Sequence, residues 1–167
     1  MKKMCKKYRH YNSKGCDYKK FRPEKFVPID SCTFWTKPRP GTGFWASPVD
    51  ADYGWNDWCK DNMPEWIEGA EYFDFELQPD VNVLCLYTRD DLTGLMIDHP
   101  EWVVDSMGTA QEILMGDNSM VYLDFKRMLE DGVDAVEIII DELYFPLYGW
   151  DCDSILIMNP DVVEGRR

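Results

Sequence analysis

No apolar run in the 167 residues approaches the roughly 18 that a membrane-spanning helix needs, so no membrane association is expected. The amino-terminal "MKKMCKKYRHYNSK" has the lysines of a signal peptide but no apolar segment behind them, and a soluble cytoplasmic protein is the expectation. Histidine occurs only as His10 and His99, and none of the six cysteines (Cys5, Cys16, Cys32, Cys59, Cys85 and Cys152) stands in a C-x-x-C pair. Without zinc-ligand spacing a structural zinc site is not expected, and the cysteines read as small core hydrophobes. Asp151, Asp153 and Asp161 lack the spacing of a calcium loop. Repeats and low-complexity tracts are absent.

Basic residues are scarce after position 39. Residues 40–167 hold 6 Lys/Arg against 28 Asp/Glu, a balance of −22, while residues 1–39 hold 12 against 3, a balance of +9; together they give the net −13. So acidic a body offers little to a polyanion, and stable nucleic-acid binding is not expected. The basic segment either lies against the acidic remainder or holds a phosphate-bearing ligand.

What is present is 45% hydrophobic and 14% aromatic residues, enough for one globular domain over 1–167. "YRHYNS" (8–13) reads as a short strand and residues 14–41 as mostly loop. "GFWAS" (43–47) is an aromatic strand, and Ser47 as N-cap with Pro48 at the first helical position predicts a helix directly after it. "YFDFELQ" (72–78) alternates apolar and acidic side chains like a half-buried strand, and "VNVLCLY" (81–87) is a more apolar one beyond the turn signal "PD". Residues 90–116 read as mainly helical with breaks near Pro100 and Gly108, and "YLDFKRMLEDG" (122–132) as a helix ending at Gly132. "VDAVEIII" (133–140) and "DSILIM" (153–158) are strands. This order predicts an α+β fold with a mostly antiparallel sheet or pair of sheets.

Several of these stretches together resemble the ADP-ribosyltransferase superfamily, in particular its small divergent phage and bacterial members. They are "YRHY", "GFWASPVDADY", "FELQPDVNVLCL", "YLDFKRMLEDGVDAVEI" and "DSILIMNPDVV". The resemblance implies mostly antiparallel split sheets flanked by helices, with NAD bound between them as substrate and ADP-ribose transferred to a protein or nucleic-acid acceptor, for a phage protein one in the host cytoplasm. On the matching positions, Arg9 or His10 grips the dinucleotide, Ser47 orients the catalytic carboxylate, and Tyr53 and Trp45 wall the nicotinamide pocket. The Glu-x-Glu pair common in the family is missing. Glu137, with Asp153 as the alternative, is the carboxylate expected to stabilise positive charge building on the ribose.

Plainer readings stand beside these. Ser47 is a good helix cap, Arg9 sits among surface lysines, Glu137 fits the solvated side of an edge strand, and the aromatics fit a core. Two other functions fit the composition: an acidic, non-catalytic inhibitor that imitates nucleic acid, and an NAD glycohydrolase that lacks an acceptor.

Overall fold

The computed structural model describes residues 6–12, 16, 18–34, 36–106 and 120–164. Its strands are β1 (Tyr8–Tyr11), β2 (Thr33–Phe34), β3 (Lys37–Pro38), β4 (Phe44–Pro48), β5 (Tyr72–Phe75), β6 (Val83–Leu86), β7 (Val103–Ser106), β8 (Val121–Leu123), β9 (Ala135–Ile138) and β10 (Ser154–Ile157). Its α-helices are α1 (Trp55–Asn62), α2 (Arg89–Asp98) and α3 (Phe125–Glu130). Six strands form one sheet in the order β5-β1-β4-β10-β9-β6, and β2-β3 and β7-β8 form two small ribbons. Within the six-stranded sheet β6 and β9 run parallel, and the other neighbours are antiparallel. A parallel pair needs a long crossover, and the chain from α2 to α3 supplies it.

Side chains alternate across the sheet. Trp45, Leu156 and Val136 stand opposite one another on one face, which packs with Leu92, Phe125 and Trp150 in the larger core cluster. Ala46, Ile155 and Glu137 share the other face, where Tyr8, Phe73, Phe75 and Ala135 make a second cluster with Val83 packed against it. That cluster draws on both edge strands, β5 and β6.

Strand β4 changes partner part-way along. Its residues Phe44, Trp45 and Ala46 pair with β10, whereas Ser47 and Pro48 pair with Arg9 and Tyr8 of β1. Beyond Arg9 the two strands part. Gly43, just before β4, has φ 72°, and a Cβ there would meet Leu156 Cδ1 at 2.5 Å and the Ile157 carbonyl oxygen at 3.3 Å. Only glycine combines that backbone with so close an approach.

The structure departs from several sequence expectations. The first helix begins at Trp55, not Pro48, because Pro48 still belongs to the sheet and residues 49–53 form turns. Ser47 nevertheless caps it from a distance, its Oγ accepting from Trp55 N–H at 2.9 Å. The strands on either side of "PD" do not pair; they lie on opposite edges of the sheet. Within the segment expected to be mainly helical, Val103–Ser106 form a strand on Val121–Leu123, and residues 107–116 lie outside the described ones. Helix α3 starts after Asp124, whose carboxylate accepts from Arg127 N–H and fixes the beginning there. Cys59 and Cys152 are buried as expected, but Cys32 and Cys85 are exposed.

Candidate functional site

The parting of β1 and β4 opens a cleft of about 400 Å³. Its floor is Arg9, Trp45 and Ser47, its wall Trp55 with the buried Trp150, 2% exposed, as backing, and its rim Lys37, Arg39 and Asp151; Cys152 and Ser154 line it as well. Trp45 and Trp150 pack with ring centroids 4.9 Å apart, and the Trp45 indole N–H donates to the Thr42 carbonyl. The aromatic walls are therefore held by the fold before any ligand arrives.

Arg9 is fixed by its cross-strand neighbour. Its Nε and Nη2 donate to the two carboxylate oxygens of Asp74 at 2.7 and 3.0 Å, and its guanidinium carbon lies 4.2 Å from the Tyr72 ring centroid. The Arg9 hydrogen bond holds the Asp74 carboxyl below its ordinary range, against a smaller opposing effect of burial. A two-pronged pair of this kind orients the guanidinium plane.

His10 closes the divide from below. Its Nδ1 lies 2.6 Å from the Trp45 carbonyl oxygen; a carbonyl only accepts, so Nδ1 carries the proton. The ring stacks on Phe44 at 4.4 Å, in the second cluster. Burial lowers its pKa, with the Trp45 contact opposing, and a neutral imidazole takes the place of a missing ladder bond between β1 and β4.

Ser47 is 5% exposed and joins three segments. It donates to the Asp153 carbonyl at 2.8 Å while accepting from Trp55 N–H, so one hydroxyl ties β4 to the start of β10 and to α1. The Asp153 carboxylate likewise joins separate segments, accepting from Ile140 N–H at 3.0 Å and from Tyr53 N–H at 3.3 Å. Burial raises its pKa, and these two amides oppose the rise. Its oxygens are engaged behind the cleft wall.

Of the residues expected to form the site, Arg9, His10, Trp45 and Ser47 meet at the cleft, while Glu137, Asp153 and Tyr53 do not line it. Glu137 opposes Ile155 across the β9–β10 ladder, which turns its side chain to the face away from Ser47. It is buried, 1% exposed, and not the solvated edge residue its strand pattern also allowed. Tyr53 points elsewhere, its hydroxyl donating to Asp61 at 2.8 Å, and Trp55 takes the wall instead because the helix begins later than expected.

Sequence reasoning alone does not reach Lys37, Arg39, Trp55, Trp150 and Asp151 as site residues. Lys37 and Arg39 lie in the proline- and glycine-rich stretch that reads as loop, and "GWDCDS" stands out only as a metal motif without the right spacing. Asp151 is the cleft carboxylate; burial raises its pKa and the Lys37 charge opposes. Burial also pushes the Cys152 thiol up to about 12, so this cleft cysteine is no nucleophile at neutral pH. Among the described residues no group of histidine, cysteine, aspartate and glutamate is arranged to hold a metal ion, and no helix is long and apolar enough to cross a membrane.

No protein-family model, curated protein or solved structure matches the chain. The chemistry of the cleft itself therefore carries the functional reading.

Proposed function

We propose that the cleft binds NAD and that the protein is an ADP-ribosyltransferase-like enzyme acting on a macromolecular acceptor. The observation that carries this reading is the meeting of Arg9, Trp45 and Ser47, from two parting strands, in one cleft with tryptophan walls and cationic residues at its rim. Flat indole faces suit the nicotinamide or adenine ring. Arg9, and Lys37 and Arg39 at the rim, suit the pyrophosphate. The volume is also in the range of small-ligand pockets.

In this reading Asp151, not Glu137 or Asp153, lies beside the ribose. The bond between the ribose and the nicotinamide nitrogen breaks, and nicotinamide leaves with the electron pair. Ionised Asp151 offsets the positive charge that develops on the sugar until the acceptor's nucleophile attacks. Because burial raises the Asp151 pKa, the acid limb of the rate profile sits higher than an ordinary carboxylate would set it.

The test begins with thermal melts in NAD. Wild type gains a concentration-dependent shift, which Arg9→Ala removes and Asp151→Asn retains. Radiolabelled NAD in a bacterial lysate then labels an acceptor with wild type and not with Asp151→Asn. Nicotinamide released without a labelled acceptor turns the reading to a glycohydrolase. No shift at millimolar NAD, together with salt-sensitive binding to a basic protein, turns it to the acidic inhibitor.

A further inference from the structure

The far face of the sheet carries a second constellation that the cleft does not use. The Glu137 side chain is 2% exposed. Tyr87 donates its hydroxyl to Oε2. Oε1 has the Lys6 ammonium at 2.6 Å. The same ammonium lies 5.7 Å from the Tyr8 ring centroid and 5.6 Å from that of Tyr87, inside the range of cation–π attraction. Burial raises both tyrosine pKa values first, with nearness to Glu137 next for Tyr8, and hydrogen bonding with Cys85 and then Glu137 next for Tyr87, so both rings keep their protons and stay neutral.

Two aromatic faces around a buried carboxylate are a receptor for a cation. The walls come from β1, β9 and the residue after β6, all held by the sheet. The occupant is different: Lys6 precedes β1, and its side chain is 39% exposed, so the ammonium enters from the solvent side. A buried carboxylate is costly without a counter-charge, and the cage therefore has its own demand for one.

We propose that Tyr8, Tyr87 and Glu137 form a binding site for a primary alkylammonium group, which Lys6 fills in cis. The N–H donors of such a group meet the carboxylate while its alkyl stem lies along the rings. Potassium lacks the stem and the donors, and tetramethylammonium lacks the donors. A short tether gives Lys6 a millimolar effective concentration, so an external amine must outcompete it.

Thermal melts of wild type and Lys6→Ala in n-butylammonium chloride test this, with potassium and tetramethylammonium chlorides at matched concentration. Lys6→Ala shows a saturable rise in Tm at a concentration at least tenfold lower than wild type needs, and the two control salts do not reproduce it. Nα-acetyl-lysine amide in a parallel arm separates the sources: a response equal to that of n-butylammonium assigns the cage to lysyl side chains, a weaker one to free amines. Equal responses to all three salts, or equal responses of wild type and variant, overturn the proposal. Should Lys6→Ala not fold, brief acetylation of the wild-type lysines read by mass spectrometry decides. Lys6 reacts more slowly than Lys7 and loses that protection in Glu137→Gln; a Lys6 that acetylates as fast as Lys7 in wild type overturns the proposal. The cage lies on the opposite face from the cleft, so either can fail alone.

Discussion

Single side chains here bind several segments at once, and Arg9 is the one whose partner also tunes the cleft. Asp74 keeps its charge because Arg9 donates to it twice, and its folded pKa is depressed. A depressed carboxylate contributes stability above its unfolded pKa of about 3.9 and loses it as pH falls through the folded value. Both partners are about one-third exposed, which limits the contribution to about 1 kcal/mol or less. Melts of Asp74→Asn should therefore fall less steeply than wild type below about pH 4, with the two nearly parallel at neutral pH. The same variant leaves the guanidinium without its orienting carboxylate, so its NAD-dependent shift should be smaller at pH 7 despite an intact fold. An unchanged ligand response would mean that Tyr72 and Tyr11 suffice to hold Arg9.

Between residues and the whole fold, the decisive element is β4 with the glycine that precedes it. Gly43 and Gly132 both have positive φ, but a Cβ at Gly132 meets nothing within 4 Å, whereas at Gly43 it meets Leu156. Gly132→Ala should cost about 1 kcal/mol, from backbone strain alone, and Gly43→Ala about 2–4 kcal/mol because overpacking adds to it. Denaturant melts of the two variants separate the contributions; equal losses would show that Leu156 swings aside freely. At this scale the sequence speaks unevenly. The period of two in "YFDFELQ" exposes β5, and the apolar runs in "VLCL" and "SILI" expose β6 and β10, because burial pattern is local information. The start of α1 is not: Ser-Pro-x-Asp satisfies helix-capping rules equally well in a strand whose serine caps a helix eight residues on. The face of Glu137 is equally hidden, since alternation along β9 says which residues share a side but not which side holds the cleft. Asp151 and Trp150 read only as a metal motif with the wrong spacing because they lie in irregular chain ahead of β10, and the contact of Trp150 with Trp45 brings them to the site.

Over the whole molecule, charge and topology set the terms. The basic amino-terminal segment meets the acidic body at Lys6–Glu137 and Arg9–Asp74, while Arg22–Glu24 and Arg39–Asp30 are paired within it. Net charge remains −13, and self-repulsion of that size opposes compaction. Raising sodium chloride from about 10 mM to about 150 mM shortens the screening length from about 30 to about 8 Å, and Tm should rise by a few degrees. A fall would show that the pairs joining segment and body outweigh the repulsion. The strand order has a consequence for how the chain is made. β10 is the last of the six sheet strands to leave the ribosome, yet it occupies the middle, between β4 and β9. Until it is threaded in, β5-β1-β4 and β9-β6 are two half-sheets with raw inner edges, each a template for stray pairing. Nascent chains stalled before residue 154 should therefore depend on chaperones, and closure of the sheet becomes a late, all-or-none step of biosynthesis.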